Sequence, residues 1–412
     1  MSVVLTTLRA LRFHDRNVTG LEALKPAEWL DLLAMTDRER LTLALGLRCR
    51  ESLPSAVAER IDRNLEQNTE RHGCLVTAYQ EIADVLRASG TEFLVLKGLT
   101  HGAGFAAEAH HRPQYDLDLY CPESCSANAM RAIESLGYVA FSRGEVATTD
   151  HFPVMIRKTG WKWRGDYFDP AMPFSVELHF RFWDERTERF QAGDGERFWP
   201  ARVEHHVSGL YLPSLSAADG LTYATWHLIR HLLRGDLRLY HVYELAYFLD
   251  RSSADDTFWR EWENRAPAGG RQTEAIAFRL AKEWFHCQMH GTALAAMEHL
   301  PNSVKRWFEL FAMSPAQAIE RPNKNELWLH WCLVNNPGHR REVAIRRLFP
   351  ISRERVVADA HVAPENVTFG LRARRMAIET RFLANRAVHH MRVLPPAIGS
   401  GMRWWLAQPR SQ

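Results

Sequence analysis

"LVLKGLTHGAGFAAEAHHRPQYDLDLYC", residues 94–121, decides how the rest of the chain is read. Its apolar start, continuing from Phe93, reads as a buried strand that ends in Lys97-Gly98. "LTHGAGFAAEAH" follows as an alanine-rich helix, weakened by Gly102 and Gly104. "YDLDLYC" then alternates as a second strand, closed by Pro122. Strand side chains point to alternate faces. Tyr115, Leu117 and Leu119 are therefore expected in the core, with Asp116 and Asp118 together on the other face. Two carboxylates that close destabilise a fold unless a cation or a proton lies between them.

"FSVELHFRF", residues 174–182, repeats the scheme. Val176, Leu178 and Phe180 would turn inward, leaving Glu177, His179 and Arg181 outward. If the two strands are neighbours, Asp116, Asp118 and Glu177 form a three-carboxylate cluster. Hard oxygen ligands of this kind suit Mg2+, which keeps waters and takes further oxygens from substrate phosphates. Two such ions can clamp the attacking and leaving oxygens of a phosphoryl displacement. Lys97-Gly98 ends a strand and opens a helix, where free backbone N–H groups favour an anion. Arg112 offers a bidentate phosphate contact.

Outward from this unit the pattern is helical. Residues 27–90 repeat apolar positions at three and four. "SCSANAMRAIESLG" is a helix closed by Gly137, and "YVAFS" and "HFPVMIRK" are strands, giving a βαβαβββ unit over 92–182. After Pro213 helical periodicity returns and continues to the end, with "YLPSLSAADG" as the linker. The expected fold class is α+β, a short mixed sheet with helices. Its segments are a helical region over 1–90, the core over 91–212, and a helical domain over 213–412 whose last part is basic.

The chain has 412 residues, 46% apolar and 25% charged, with a net charge of +3. Its length supports one or two packed domains, and its balance gives no global case for nucleic acid. From Pro337 onward there are 14 Arg, no Lys and 5 acidic residues, a local balance of +9 that leaves residues 1–336 at −6. Six cysteines without CxxC pairing read as reduced thiols. The N-terminus lacks a leader pattern and no apolar run is long enough to span a bilayer, so the expected location is cytoplasmic.

Lys97-Gly98, Arg112, Asp116-Leu117-Asp118, Leu136-Gly137-Tyr138 and Glu177-Leu178-His179 stand in an order that resembles the uncharacterised bacterial nucleotidyltransferases of the DNA-polymerase-β-like superfamily. The likeness continues through "WHLIRHLLRGDLRLYHVYELAYFLD", with Trp226, His227, His231 and Glu244, and more loosely into "RRLFPISRERV". It implies a polymerase-β-like core that moves a nucleotidyl group from a nucleoside triphosphate to an acceptor oxygen and releases pyrophosphate. Asp116 and Asp118 would bind two Mg2+ ions, and Glu177 would bind the ion on the acceptor side and help deprotonate the attacking hydroxyl. Lys97, Gly98 and Arg112 would hold the β- and γ-phosphates. The wider superfamily carries Gly-Ser or Gly-Gly where this chain has Lys-Gly.

Other constellations are weaker. His227 and His231 have the spacing of a zinc pair, but no H-E-x-x-H accompanies them, and cleft lining is the better reading. His179 shares the carboxylate face and could orient substrate. "WKWRGDYF", residues 161–168, reads as a hairpin loop tucked on the core, with a stacking platform for a nucleobase as the alternative. The basic "RARRMAIETRFLANRAVHHMRVL" reads as a helix against the body rather than on a membrane. "GEVATTD" and "ERFQAGDGERF" read as turns. No nucleophile motif and no Rossmann glycine fingerprint is present. The acceptor is open among a small molecule, a peptide or protein, and a glycan precursor, with RNA disfavoured. Two rival readings are a sugar-phosphate or glycosyl transfer from a nucleotide sugar, and a non-catalytic scaffold.

Overall fold

A computed structural model describes residues 2–141, 150–265, 271–349 and 369–407. The turn read over "GEVATTD" lies outside these apart from Asp150, as does "RRLFPISRERV" from residue 350 onward. Seven strands form one mixed sheet: β1 (Leu94–Val95), β2 (Asp116–Tyr120), β3 (Tyr138–Ala140), β4 (Met155–Arg157), β5 (Ser175–His179), β6 (Val203–Val207) and β7 (Leu210–Ser214). Their order is β3-β4-β5-β2-β1-β7-β6. β2 runs parallel to β5 and antiparallel to β1, and β1 pairs in parallel with β7.

One face of the sheet is covered by two helices, α1 (Ser55–Ala88) and α2 (Ser126–Ser135). Tyr79, Ile82 and Leu86 of α1 and Ala129 and Ile133 of α2 pack on Leu117, Leu119, Val176 and Leu178. The opposite face turns toward the helical region through α3 (Ala217–Arg234) and α4 (Leu239–Arg251). Ser216 caps α3, its hydroxyl accepting from Asp219 N at 3.3 Å, and Gly235 ends the helix with φ 75°. One continuous apolar cluster joins the first fifty residues, Tyr120 and Phe182 beside the sheet, and the helices after Ser216.

Four local expectations change. The helix expected over "LTHGAGFAAEAH" breaks into a 3-10 turn at Gly98–His101, a single α-turn at Gly102–Phe105 and a 3-10 turn at Ala109–His111. Phe105 is drawn onto Phe248, ring centroids 4.6 Å apart, and a Cβ on Gly104 would meet that ring at 3.1 Å. Tyr115 precedes the strand and does not enter the core; its ring lies under the guanidinium of Arg40 at 4.5 Å. Phe180 falls just beyond β5, half-buried, and pairs with Phe152 at 4.9 Å. The start of "YLPSLSAADG" is not a linker but β7, whose alternation buries Leu212 and Ser214 between β1 and β6. A final helix, α5 (Phe369–Leu406), carries the basic tail. No helix among the described residues is long and apolar enough to cross a membrane.

Candidate functional site

β2 and β5 pair in register, with Asp118 opposite Glu177 and Asp116 opposite Ser175. Strand alternation sends Leu117, Leu119, Val176 and Leu178 to the α1/α2 side and the acidic residues to the α3/α4 side. The tightest group is Asp118, Glu177 and His179, whose ligand atoms lie within 4.8 Å of one another. Asp116 is not part of that group. It lines the adjoining cavity of about 460 Å³, together with Ser175 and Glu177.

The positive charge closest to Asp118 belongs to the chain itself. Lys97 Nζ lies 3.1 Å from Asp118 Oδ1 and 2.7 Å from His227 Nε2. Burial disfavours the Asp118 carboxylate, but Lys97 and His179 outweigh it and hold the group below the usual carboxylate range. Glu177 behaves oppositely. Burial, followed by the charges of Asp118 and Asp116, pushes its carboxyl up to about 8. His227, half-buried in the cavity wall and beside Lys97, is held well below the ordinary imidazole range by desolvation and then by the Lys97 charge, so its neutral Nε2 accepts from the ammonium.

Lys97-Gly98 is braced from below. Tyr79 Oη of α1 donates to Lys97 O at 3.4 Å, and Gln114 Nε2 donates to Asp116 O at 2.7 Å and to Tyr79 Oη at 3.1 Å. Gly98 has φ 86°, and a Cβ there would sit 2.2 Å from Gln114 Nε2. The glycine is thus required by backbone conformation and by close packing. Arg112 forms a buried bidentate pair with Glu244 of α4 and donates to Gln114 Oε1 at 3.2 Å. Its guanidinium is already engaged.

The helices complete the far wall. His227 and His231 do line the cavity, Nε2 to Nε2 at 3.1 Å, and His241 joins them with ring centroids at 4.9 and 5.2 Å. Arg40, with φ 63°, and Arg238 also face the cavity. Neither has a carboxylate at ion-pair distance among the described residues; Arg40 rests on Tyr115 and Arg238 reaches only Arg38 O, at 3.3 Å. Glu39, near both, is occupied by Leu239 N and Arg38. Trp163 and Tyr167 of the 161–168 loop stand on the rim, ring centroids 4.8 Å apart. Behind the site Arg230 of α3 pairs with buried Asp150, whose carbonyl accepts from Phe180 N at 2.9 Å.

Sequence reading missed Arg40, Arg238, His241 and Asp150. Of these only His241 left a signal, three residues before Glu244 and so on the same helix face. Arg238 directly precedes the same helix, whereas Arg40 and Asp150 come from distant segments.

The donor set fits a divalent cation. Both Asp118 oxygens and both His179 ring nitrogens are buried without a hydrogen-bond partner, because Lys97 approaches Asp118 off-line and His179 Nε2 stays 3.7 and 3.8 Å from Asp118 and Glu177. Buried polar atoms are rarely left in this state. Orphaned ligand atoms of this kind have a remedy in a cation among them. No curated protein and no solved structure matches the chain. The model of a family described as uncharacterised nucleotidyltransferase matches residues 25–286, a span that holds every strand of the sheet and every residue of the site just described, and the chain belongs to that family.

Proposed function

We propose that the chain transfers a nucleotidyl group from a nucleoside triphosphate to an acceptor hydroxyl and releases pyrophosphate, on a core of the polymerase-β type. The observation that carries the reading is the pairing of Asp118 with Glu177 across adjacent strands, beside a cavity whose opposite wall is cationic. A relay of acid against base across about 460 Å³ suits a ligand with a polyphosphate at one end and a neutral group at the other.

Asp118, Glu177 and His179, with Asp116 at the mouth, would hold Mg2+, which when bound neutralises phosphate charge and polarises the transferred phosphorus. The remaining work falls to side chains of the chain. Arg40, Arg238 and His241, none held by a carboxylate among the described residues, would offer donors to the β- and γ-phosphates, a role that Arg112 fills less directly because Glu244 holds it. Lys97 neutralises Asp118 in the free protein and becomes available to phosphate once a cation takes its place. Glu177, protonated below about pH 8 in the free protein, must lose that proton before its carboxylate can accept one from the acceptor hydroxyl. Trp163 offers an aromatic face for the base.

The test is calorimetric binding of each nucleoside triphosphate, with and without Mg2+, to wild type, Asp118→Asn and Arg40→Gly. Metal-dependent binding of one triphosphate, lost in Asp118→Asn, is the expected result. Arg40→Gly should keep the fold, since glycine suits φ 63°, yet weaken triphosphate binding about tenfold. Binding of a nucleotide sugar in preference to every triphosphate would transfer the site to the sugar-phosphate reading. No nucleotide binding at all would leave a scaffold.

A further inference from the structure

α5 extends for 38 residues, about 57 Å at the α-helical rise. Among the described residues its seat on the body is C-terminal: Val393, Ala397 and Trp404 are buried, and Trp404 stacks on Trp328 with centroids 6.2 Å apart. Along another side of the helix Met376, Leu383, Met391, Ile398, Met402 and Trp405 are all exposed, continuing from Phe369 at its start. At 3.6 residues per turn Phe369, Met376, Leu383 and Met391 fall within an arc of about 80° before Pro395-Pro396, and Ile398, Met402 and Trp405 within about 60° after them. A continuous stripe of large apolar side chains this long does not stay in water without something to cover it.

The charge on the rest of the helix says what covers it. Arg374, Arg381, Arg392 and Arg403 are exposed and lie in one row, within about 40° of one another and about 130° round the helix from the middle of the stripe. Across the whole helix the sequence has seven arginines, no lysine and the single carboxylate Glu379. A second copy of the helix would need opposite charges flanking the seam, and here arginine would meet arginine. A surface of anionic headgroups over acyl chains matches both features at once: it takes the apolar stripe into its interior and pairs the arginine row at its face. We propose that Phe369–Leu406 is a peripheral membrane anchor that lies along an anionic lipid surface. The anchor stands independently of the nucleotidyl reading, because no described residue of α5 lines the cavity.

Co-sedimentation of the full chain with phosphatidylcholine vesicles, with and without about 30% phosphatidylglycerol, tests it. The expected result is partition onto the anionic vesicles only, falling with salt and by about fivefold for each of Arg374→Gln, Arg381→Gln and Arg392→Gln. Met376→Glu with Met391→Glu should abolish partition and leave the melting temperature unchanged, since both side chains are in solvent. Failure to bind anionic vesicles, or equal partition onto neutral ones, would overturn the proposal. So would a light-scattering mass of two chains that the Met→Glu pair reduces to one, which would give the stripe to a second copy. Binding that emerges only after deletion of residues 350–368 would give it to that segment.

Discussion

Lys97 Nζ, 3.1 Å from Asp118 Oδ1 and 2.7 Å from His227 Nε2, occupies the place that charge repulsion reserves for a cation, so the free protein carries its own counter-ion. This reassigns the repulsion that the strand alternation implies. Asp118 is stabilised as a carboxylate, and its contribution is present above the unfolded value and lost as pH falls. Asp118→Asn should therefore lower stability at neutral pH rather than raise it, contrary to what adjacent aspartates suggest in sequence. The strained member is Glu177. Its folded value near 8 exceeds the ordinary 4.5, so the folded state holds the extra proton and stability declines as pH rises through that window. Glu177→Gln should remove this decline, gaining at most about 5 kcal/mol over wild type at pH 9 and little at pH 5. Urea denaturation at the two pH values reads the difference, and parallel slopes in both proteins would refute it.

Two joints between elements hold the site in shape. The first is the turn after β1, where Gly98 at φ 86° lies under Gln114 and Tyr79. Gly98→Ala adds a methyl where neither neighbour has room and a backbone that alanine resists, and should cost about 3 kcal/mol in chemical denaturation. An unchanged midpoint would mean that Gln114 and Tyr79 move aside freely. The second joint is Arg112 with Glu244, which ties the approach to β2 onto α4. Glu244→Gln leaves a buried guanidinium without its charge partner and should cost about 3–5 kcal/mol. The double change Arg112→Met with Glu244→Leu should recover most of that loss in the same assay, because burying two apolar groups avoids the stranded charge. A double variant as unstable as the single one would show that the pair contributes more than mutual neutralisation.

The cavity belongs to the whole molecule, since its walls come from Arg40 before the sheet, from β2 and β5, and from α3 and α4 after it. The apolar cluster has the same reach: Tyr120 stacks on Phe182 at 4.0 Å, Phe182 meets Phe198 at 5.2 Å, and Phe198 meets Trp226 of α3 at 5.2 Å. Expressed alone, residues 91–212 would expose this face together with Asp118 and Glu177. We expect that fragment to lack a cooperative thermal transition by circular dichroism, whereas the full chain shows one. A sharp transition in the fragment would show that α2 by itself suffices to hold the sheet.

Alternation along β2 puts Asp116 and Asp118 on one face of their strand, and alternation along β5 does the same for Glu177 and His179, because side-chain direction in a strand depends on the backbone alone. The helical character of the flanks was legible for the same reason, through the repeat at three and four. Contacts between remote segments carry no such local mark. The pairing of β2 with β5, the capture of Lys97 by Asp118, the engagement of Arg112 by Glu244 across 132 residues, and the meeting of Arg40 with Arg238 are products of packing. So is the loss of the expected helix after Gly98, where burial of Phe105 against Phe248 outweighed the helix preference of alanine. A period of two or of 3.6 is written residue by residue, but which face meets which is settled only when the apolar surfaces of the whole chain close on one another.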